Sequence, residues 1–202
     1  MTQDTVTQIE QQSKTHIERE KLKTELEYLK KKQQWDKYES TLIESLAQDH
    51  HNVHVLEYLA DFYMMDSQSK KALPLYKKII EQQPDNHVFL RKMSQAYMVL
   101  QDLETAEVLL DTALVLYPKT PKYAMSLVET YYKTERKDRA LSMMEDIVKW
   151  RPDNISYRKT LVAMYEDKGD YDKVISAYEN MLLVDPTNLG LKRKLLQSRS
   201  MI

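Results

Sequence analysis

The sequence predicts an all-α fold built from repeated pairs of helices. The 202-residue chain contains two glycines and six prolines, which leaves few residues of the kind that tight β-hairpin turns require. Four prolines lie 34 residues apart, and each follows an apolar run. These prolines are Pro84, Pro118, Pro152 and Pro186. Within the units, apolar residues such as Leu56, Leu59, Ala60 and Tyr63 recur at i, i+3, i+4 and i+7, the spacing of one helical face.

Each unit is predicted to consist of two helices joined by a short turn. Two residues after each proline stands an asparagine or threonine, and the same register places Asn52 one unit earlier. Such side chains cap helix N-termini because their oxygen accepts a hydrogen bond from a free backbone N–H. The predicted caps are Asn52, Asn86, Thr120, Asn154 and Asn188. Gly169 follows the first helix of the last unit, where glycine tolerates the positive φ of a helix end.

The pattern resembles the tetratricopeptide repeat (TPR) family, whose unit is 34 residues long. With each unit numbered from place 1 to place 34, the matching places are 4, 8, 11, 20, 24 and 32. In the first full unit they are Leu56, Ala60, Tyr63, Ala72, Tyr76 and Pro84. The resemblance covers four full units, which are 53–86, 87–120, 121–154 and 155–188. It implies a right-handed α-solenoid of antiparallel helix pairs.

Several residues depart from the family pattern. Val128 and Val162 occupy place 8, where a small residue is usual, so the two helices of those units are expected to lie further apart. Arg158 replaces the apolar residue at place 4 of the last full unit. Pro74 falls inside the second helix of the first full unit, and that helix is therefore expected to start near Lys70.

The N-terminal region is predicted to hold a polar extension and a divergent repeat. Residues 1–18 are polar and are expected to extend the first helix. Residues 19–52 fit a divergent first repeat, with Trp35 just after the turn. Its apolar residues at places 4, 8 and 11 are Leu22, Leu26 and Leu29.

Residues 189–202 are predicted to form a C-terminal capping helix. Stacked repeats leave an apolar end, which needs an atypical terminal helix to cover it. We expect Leu191, Leu195 and Leu196 to point inward. The outer face would then be basic, through Lys192, Arg193, Lys194 and Arg199.

Composition argues against several functional classes. Thirty basic and 31 acidic residues give a net charge of -1, so no nucleic-acid partner is expected. No apolar run reaches the roughly 20 residues of a membrane span, and no direct membrane insertion is expected. The chain has no cysteine, which fits a reducing compartment. We expect a cytoplasmic protein, or the soluble part of a membrane-tethered one.

The sequence contains no motif that supports catalysis, a cofactor or a metal. Glycines stand only at positions 169 and 190, so a glycine-rich phosphate loop is excluded. His50, His51 and His54 are the only dense cluster of candidate metal ligands, and a polar turn between repeats explains them better than a metal site with converging ligands. We therefore expect a protein that is not an enzyme, with no catalytic residues, cofactor or metal.

The TPR resemblance implies that the first helices of successive units line a concave groove, through places 2, 5, 6, 9, 12 and 13. Partner peptides or helices lie in this groove in the family. The candidate residues are His54, Glu57, Tyr58, Asp61, Val88, Arg91, Lys92, Gln95, Met98, Lys122, Met125, Glu129, Tyr132, Lys159, Ala163 and Glu166. Glu57 and Asp61 place acids where the family's chaperone-tail clamp has Lys and Asn, so a chaperone-tail receptor is disfavoured.

The leading functional prediction is a non-catalytic scaffold or adaptor that binds a protein or peptide in the concave groove. Exposed Met and Tyr side chains offer the adaptable apolar contacts that protein ligands use. The alternative is a self-assembly module, a homo-oligomer formed through the N-terminal helix and the ends of the solenoid. RNA recognition by helical repeats is a third reading, and the balanced charge argues against it.

Overall fold

The computed structural model describes residues 3–202, with side chains from His16 onward. This part of the chain forms eleven α-helices and no β-strand, which confirms the predicted all-α class. The helices are α1 Gln3–Lys31, α2 Trp35–Gln48, α3 Val53–Met65, α4 Ser69–Gln82, α5 His87–Val99, α6 Leu103–Leu116, α7 Pro121–Lys133, α8 Lys137–Trp150, α9 Ile155–Lys168, α10 Tyr171–Val184 and α11 Leu189–Arg199. The predicted polar extension over 1–18 lies partly outside the described residues, and its described backbone belongs to α1.

The helix boundaries follow the 34-residue period closely. The helices α3, α5, α7, α9 and α11 each begin at place 1, and α2, α4, α6, α8 and α10 each run from place 17 to place 30. Asparagine caps start four of the first helices; Asn154, for example, accepts a hydrogen bond from the backbone N–H of Tyr157 at 3.1 Å. Thr120 precedes α7 but makes no capping bond, because its hydroxyl donates to the Tyr117 carbonyl at 2.8 Å.

The turn between the two helices of a unit has the same geometry five times. One residue of each turn adopts a positive φ between 54° and 75°. These residues are Gln33, Ser67, Gln101, Glu135 and Gly169. The next backbone N–H donates to the carbonyl five residues earlier, as from Asp170 to Tyr165 at 3.0 Å. This hydrogen bond is that of a Schellman motif, which satisfies the last carbonyls of the first helix.

The chain divides into two compact units, one ending at Gln82 and the other running from Gln83 to Ile202. In the first unit, α1 packs on α2, α2 on α3, and α3 on α4. Its core includes Leu26, Leu42, Leu56 and Ile79, all buried. In the second unit, each helix from α5 to α11 packs on the next. Its fully buried side chains include Leu110, Leu127, Met144, Ile147 and Val174.

The helix that contains Pro74 starts close to the predicted position near Lys70. The helix α4 begins at Ser69, so Pro74 is its sixth residue, just past the first turn. The Gln68 carbonyl accepts from the backbone N–H of Lys71 at 2.8 Å and of Ala72 at 3.3 Å, and these bonds start the helix one residue before Lys70. Among the described residues, the buried hydroxyl of Ser69 has no hydrogen-bond partner.

The terminal helix α11 covers the repeat before it but is itself covered on one face only. Leu191 and Leu195 are half-buried as expected, and Ser198 is buried. The expectation that Leu196 points inward is wrong, because its side chain is 67% exposed. Leu196 occupies place 8, which is buried in the five earlier units, where the two helices of each unit pack on each other. No such helix follows α11 within the described residues.

Candidate functional site

The candidate binding residues lie on four first helices. His54, Glu57, Tyr58 and Asp61 lie on α3, in the unit that ends at Gln82. The other twelve lie on α5, α7 and α9 in the second unit.

On α3, the candidate side chains are half-buried and engaged with neighbours. The Tyr76 hydroxyl donates to Asp61 Oδ1 at 2.7 Å. Burial lowers the pKa of His54, and the nearby Arg19 guanidinium adds to this shift, because both disfavour the imidazolium. Burial also raises the pKa of Tyr38, with further contributions from Tyr58 and Asp61. This surface is therefore largely occupied by contacts within the unit.

Two candidates on α5 are buried rather than exposed. Arg91 is 8% exposed and Met98 is 4% exposed, so neither presents much side-chain surface to a ligand. Burial raises the pKa of Tyr123, and the positive charge of the Arg91 guanidinium opposes that shift. The family pattern assigns places 5 and 12 to the groove, but in this unit the long side chains at those places pack into the protein interior.

The remaining candidates on α5 and α7 offer mixed surface. Val88 and Gln95 are exposed and Lys92 is half-buried on α5. Glu129 forms a 2.9 Å ion pair with Lys133 on the exposed side of α7. The other α7 candidates, Lys122, Met125 and Tyr132, range from exposed to half-buried.

The α9 candidates line a groove of which the sequence predicted only the α9 wall. Lys159, Ala163 and Glu166 line a concavity of about 500 Å³ between α9, α10 and α11, which we name the C-terminal groove. Residues of α10 and α11 and of the loop between them complete it. These additional residues include Tyr178, Met181, Val184, Asp185, Leu191 and Lys194. Arg158, which the sequence marked as a departure at place 4, also lines the groove.

Apolar side chains form much of the C-terminal groove. Val162 and Met181 are buried in its lining, while Ile155 and Val184 remain exposed. Exposed apolar groups in a concave site are available to bury against a ligand. The groove can therefore bind apolar side chains and orient them with the charged groups around it.

The acidic groups of the C-terminal groove are engaged in internal hydrogen bonds. The Tyr178 hydroxyl donates to Glu166 Oε1 at 3.1 Å, and burial together with this carboxylate raises the pKa of Tyr178 to about 12. Hydrogen bonds from Asn188 and Thr187 lower the pKa of Asp185, which belongs to the turn before α11. Both carboxylates therefore contribute to the structure of the groove itself.

The cations of the C-terminal groove are less engaged. Lys194 Nζ lies 5.9 Å from the centre of the Tyr178 ring. Within residues 16–202, neither Arg158 nor Lys159 forms an ion pair. The groove consequently presents positive charge beside an apolar surface.

Charged residues elsewhere in the second unit link adjacent repeats. Arg136 forms a two-pronged ion pair with Glu107, one repeat earlier. Lys137 and Asp167 are joined at 3.0 Å, and Lys168 and Asp138 at 2.7 Å, which makes a reciprocal pair between two successive turns. We conclude that these charges have a structural role between repeats.

Neither a metal site nor a membrane span is found in the described part of the chain. No group of three or more His, Asp or Glu side chains there is arranged to hold a metal ion. His50 and His51 are exposed in the loop before α3. None of the helices over residues 3–202 combines the length and apolar character needed to cross a bilayer.

Comparisons with known proteins identify the fold. Residues 63–127 match the tetratricopeptide repeat family, and no curated protein sequence matches the chain. A crystal structure of MamA is similar at 18% identity and a TM-score of 0.67, over 87% of this chain and 94% of that chain. A thermophilic TPR protein of Thermus thermophilus is similar at 18% identity and a TM-score of 0.58, over 89% and 97% of the two chains.

A third structure extends the comparison to a peptide complex. The first TPR of Spaghetti (RPAP3), bound to an HSP90 peptide, is similar at 19% identity and a TM-score of 0.51. That similarity covers 57% of this chain and 94% of the other. Identities this low establish a shared fold. Together with the family match over residues 63–127, they confirm the resemblance seen in the sequence: the chain has the fold of a tetratricopeptide-repeat protein.

Proposed function

We propose that this chain is a non-catalytic interaction module that binds a peptide or helix of a partner protein in the C-terminal groove. TPR proteins generally mediate protein–protein interaction, which sets the class of function. The observation that carries the proposal is the convergence of Lys159, Ala163 and Glu166 with apolar side chains of α10 and α11 around one concavity of about 500 Å³. That volume lies in the range of roughly 300 to 1,000 Å³ that is typical of ligand sites.

The titratable groups support a binding role over a catalytic one. The three tyrosines with the most strongly raised pKa values are Tyr63, Tyr165 and Tyr178. Each donates its hydroxyl to a carboxylate, namely that of Glu39, Glu145 or Glu166. Burial and these hydrogen bonds explain the shifts. Packing between helices accounts for them without a reaction.

The kind of peptide is expected to differ from that of a chaperone-tail receptor. The TPR of Spaghetti (RPAP3) binds an HSP90 peptide and shares the fold of this chain. Here Glu57 and Asp61 occupy places where the clamp for such tails has Lys and Asn. A carboxylate tail would meet like charge at those places.

Filling the C-terminal groove tests the proposal. Ala163 is exposed in the groove, so Ala163→Trp should occupy it without altering the core. The matched control is Val108→Trp on α6, where the native side chain is 61% exposed and does not line the groove. A pull-down from the native host should recover a specific protein with the wild type and the control, and lose it with Ala163→Trp. Equal recovery by all three forms would contradict the proposal.

A self-assembly role is the alternative that a specific feature favours. The helix α1 has 29 residues, whereas the other ten helices have 11 to 14. Its side chains Ile17 and Tyr28 are exposed. Light scattering on the full chain and on a form lacking residues 1–18 tests this alternative: oligomers that dissociate on deletion would support it, and a strict monomer in both forms would exclude it.

A further inference from the structure

More cationic than anionic side chains line the C-terminal groove. Its two carboxylates, Glu166 and Asp185, are engaged in hydrogen bonds within the chain. Its three cations, Arg158, Lys159 and Lys194, form no ion pair within the side chains that the structure describes. The donors to the two carboxylates are neutral and leave their charge in place, so the cations of the groove lining exceed its carboxylates by one charge, and the cations have no anionic partner within the described part of the chain.

The position of Arg158 strengthens this observation. Place 4 of the three preceding units holds Leu56, Leu90 and Ala124, and all three side chains are buried. Arg158 occupies the same place in the last full unit but is only half-buried, with part of its side chain lining the groove. A guanidinium in such a wall is partly desolvated, which strengthens its interaction with a carboxylate.

We infer that the partner segment is an acidic amphipathic peptide, an inference that rests on the proposed function of the groove. Its carboxylates pair with Arg158, Lys159 and Lys194, while its apolar side chains pack on the exposed lining around Ile155 and Val184. Charge-assisted hydrogen bonds of this kind are stronger than neutral ones. Complementary charge also steers the encounter of the two molecules.

The lining favours a peptide over a single-stranded nucleic acid, which is also anionic. Nucleic-acid binders of that kind stack bases on exposed aromatic rings. The aromatic residue in the C-terminal groove lining is Tyr178, which is buried and has Lys194 Nζ near its ring. Aliphatic side chains make up the rest of the apolar surface, and these suit leucine-like anchors.

Two synthetic peptides test the charge preference on the full chain. Both carry the same leucine pattern and a fluorescent label, one with Asp and Glu at its polar positions and the other with Lys. Fluorescence anisotropy should show that the acidic peptide binds about tenfold more tightly or better, with an affinity that falls as salt rises. Equal affinities, or a preference for the basic peptide, would overturn the inference.

Reversing the charge of two groove lysines tests whether the preference for the acidic peptide arises in the groove. Lys159→Glu combined with Lys194→Glu should weaken binding of the acidic peptide about tenfold or more, since two exposed cations become anions. The control reverses Lys77 and Lys78, two exposed lysines of α4, and changes the net charge equally. It should leave the affinity within about twofold. If both double variants behave alike, or if single-stranded RNA binds more tightly than the acidic peptide, the inference is wrong.

The outcomes separate this inference from the function on which it rests. If Ala163→Trp abolishes partner capture but charge reversal leaves it intact, the groove binds a partner and only the acidic character is wrong. If neither change affects capture, the proposed function fails as well.

Discussion

Five residues with positive φ recur every 34 positions, and only the last of them is glycine. For a residue with a Cβ, the left-handed region is about 1 to 2 kcal/mol less favourable, because the Cβ approaches the following carbonyl oxygen. The four earlier turns therefore carry a local cost that packing of the flanking helices offsets. Glycine at position 169 avoids that cost in the repeat that forms the C-terminal groove.

Glycine substitution in an earlier turn should stabilise the protein. For Gln101→Gly we expect a gain of about 0.5 to 1 kcal/mol, the relief of strain less the greater freedom of glycine in the unfolded chain. Gln101→Ala keeps the Cβ and should give little change. Urea denaturation of each full-length variant measures the difference.

The reverse substitution provides an independent check. A Cβ added at Gly169 meets no heavy atom within 4 Å, so any loss in Gly169→Ala comes from the backbone alone. We expect a loss of about 1 kcal/mol. If Gln101→Gly destabilises the protein, or if Gly169→Ala is neutral, the positive φ is not a source of strain.

The buried tyrosines predict a loss of stability at alkaline pH. Burial, with a smaller effect of the hydrogen bond to Glu39, raises the pKa of Tyr63 to about 12. Burial and the hydrogen bond to Glu145 raise the pKa of Tyr165 further. A tyrosine in the unfolded chain has a pKa near 10. The folded state therefore binds more protons above pH 10, and the stability that these groups contribute is lost as pH rises through the folded-state pKa.

Removing one of these hydroxyls should flatten the alkaline decline. Because Tyr165→Phe removes the hydrogen bond to Glu145, we expect the variant to be somewhat less stable than the wild type at pH 7. Above pH 10 the free energy of unfolding of the variant should fall less steeply than that of the wild type. Urea midpoints measured across this pH range give the comparison. An unchanged slope in Tyr165→Phe would contradict the assignment.

Place 8 shows how the neighbouring element decides the environment of a helix residue. Its occupants in the first five units are buried, and they are Leu26, Ala60, Ser94, Val128 and Val162. Leu196 at the same place of α11 is mostly exposed. In the five earlier units, the second helix of the same unit packs on the helix that carries place 8.

The two environments predict opposite responses to the same change. Val162 is 2% exposed, so Val162→Lys would bury an unpaired ammonium group. We expect this substitution to destabilise the protein by about 3 kcal/mol. Leu196→Lys should change stability by no more than about 0.5 kcal/mol, because the side chain already lies largely in solvent. Denaturant titration distinguishes them. A large loss for Leu196→Lys would show that another chain or segment covers α11.

For the helices, the sequence predicted where each one begins better than which neighbouring elements pack on it. Prolines and asparagine caps act through local geometry, so the starts of α3, α5, α7, α9 and α11 followed from their spacing. Leu196 was misplaced because no second helix follows α11 within the described residues to pack on it. Thr120 was misjudged as a side-chain cap, since its hydroxyl can equally donate to a preceding carbonyl.

For the molecule as a whole, the fold was predictable and the candidate site only in part. The family's groove places identify one face of each first helix, and Lys159, Ala163 and Glu166 do line the C-terminal groove. Those places contain no information on α10 or α11, so Met181 and Lys194 were missed as groove residues. The burial of Arg91 was not predicted because a long side chain on a boundary face can fold inward, which periodicity does not determine.

Site-specific photo-crosslinking tests whether the C-terminal groove binds a segment of another protein. A photoreactive amino acid is placed at Ala163 in the groove or, as control, at Val108 on α6, and the full chain is irradiated in its native host. We predict a crosslink from position 163 to a defined segment of one protein, and none to that segment from position 108. Crosslinks to the same segment from position 108 alone, or from neither position, would contradict the account.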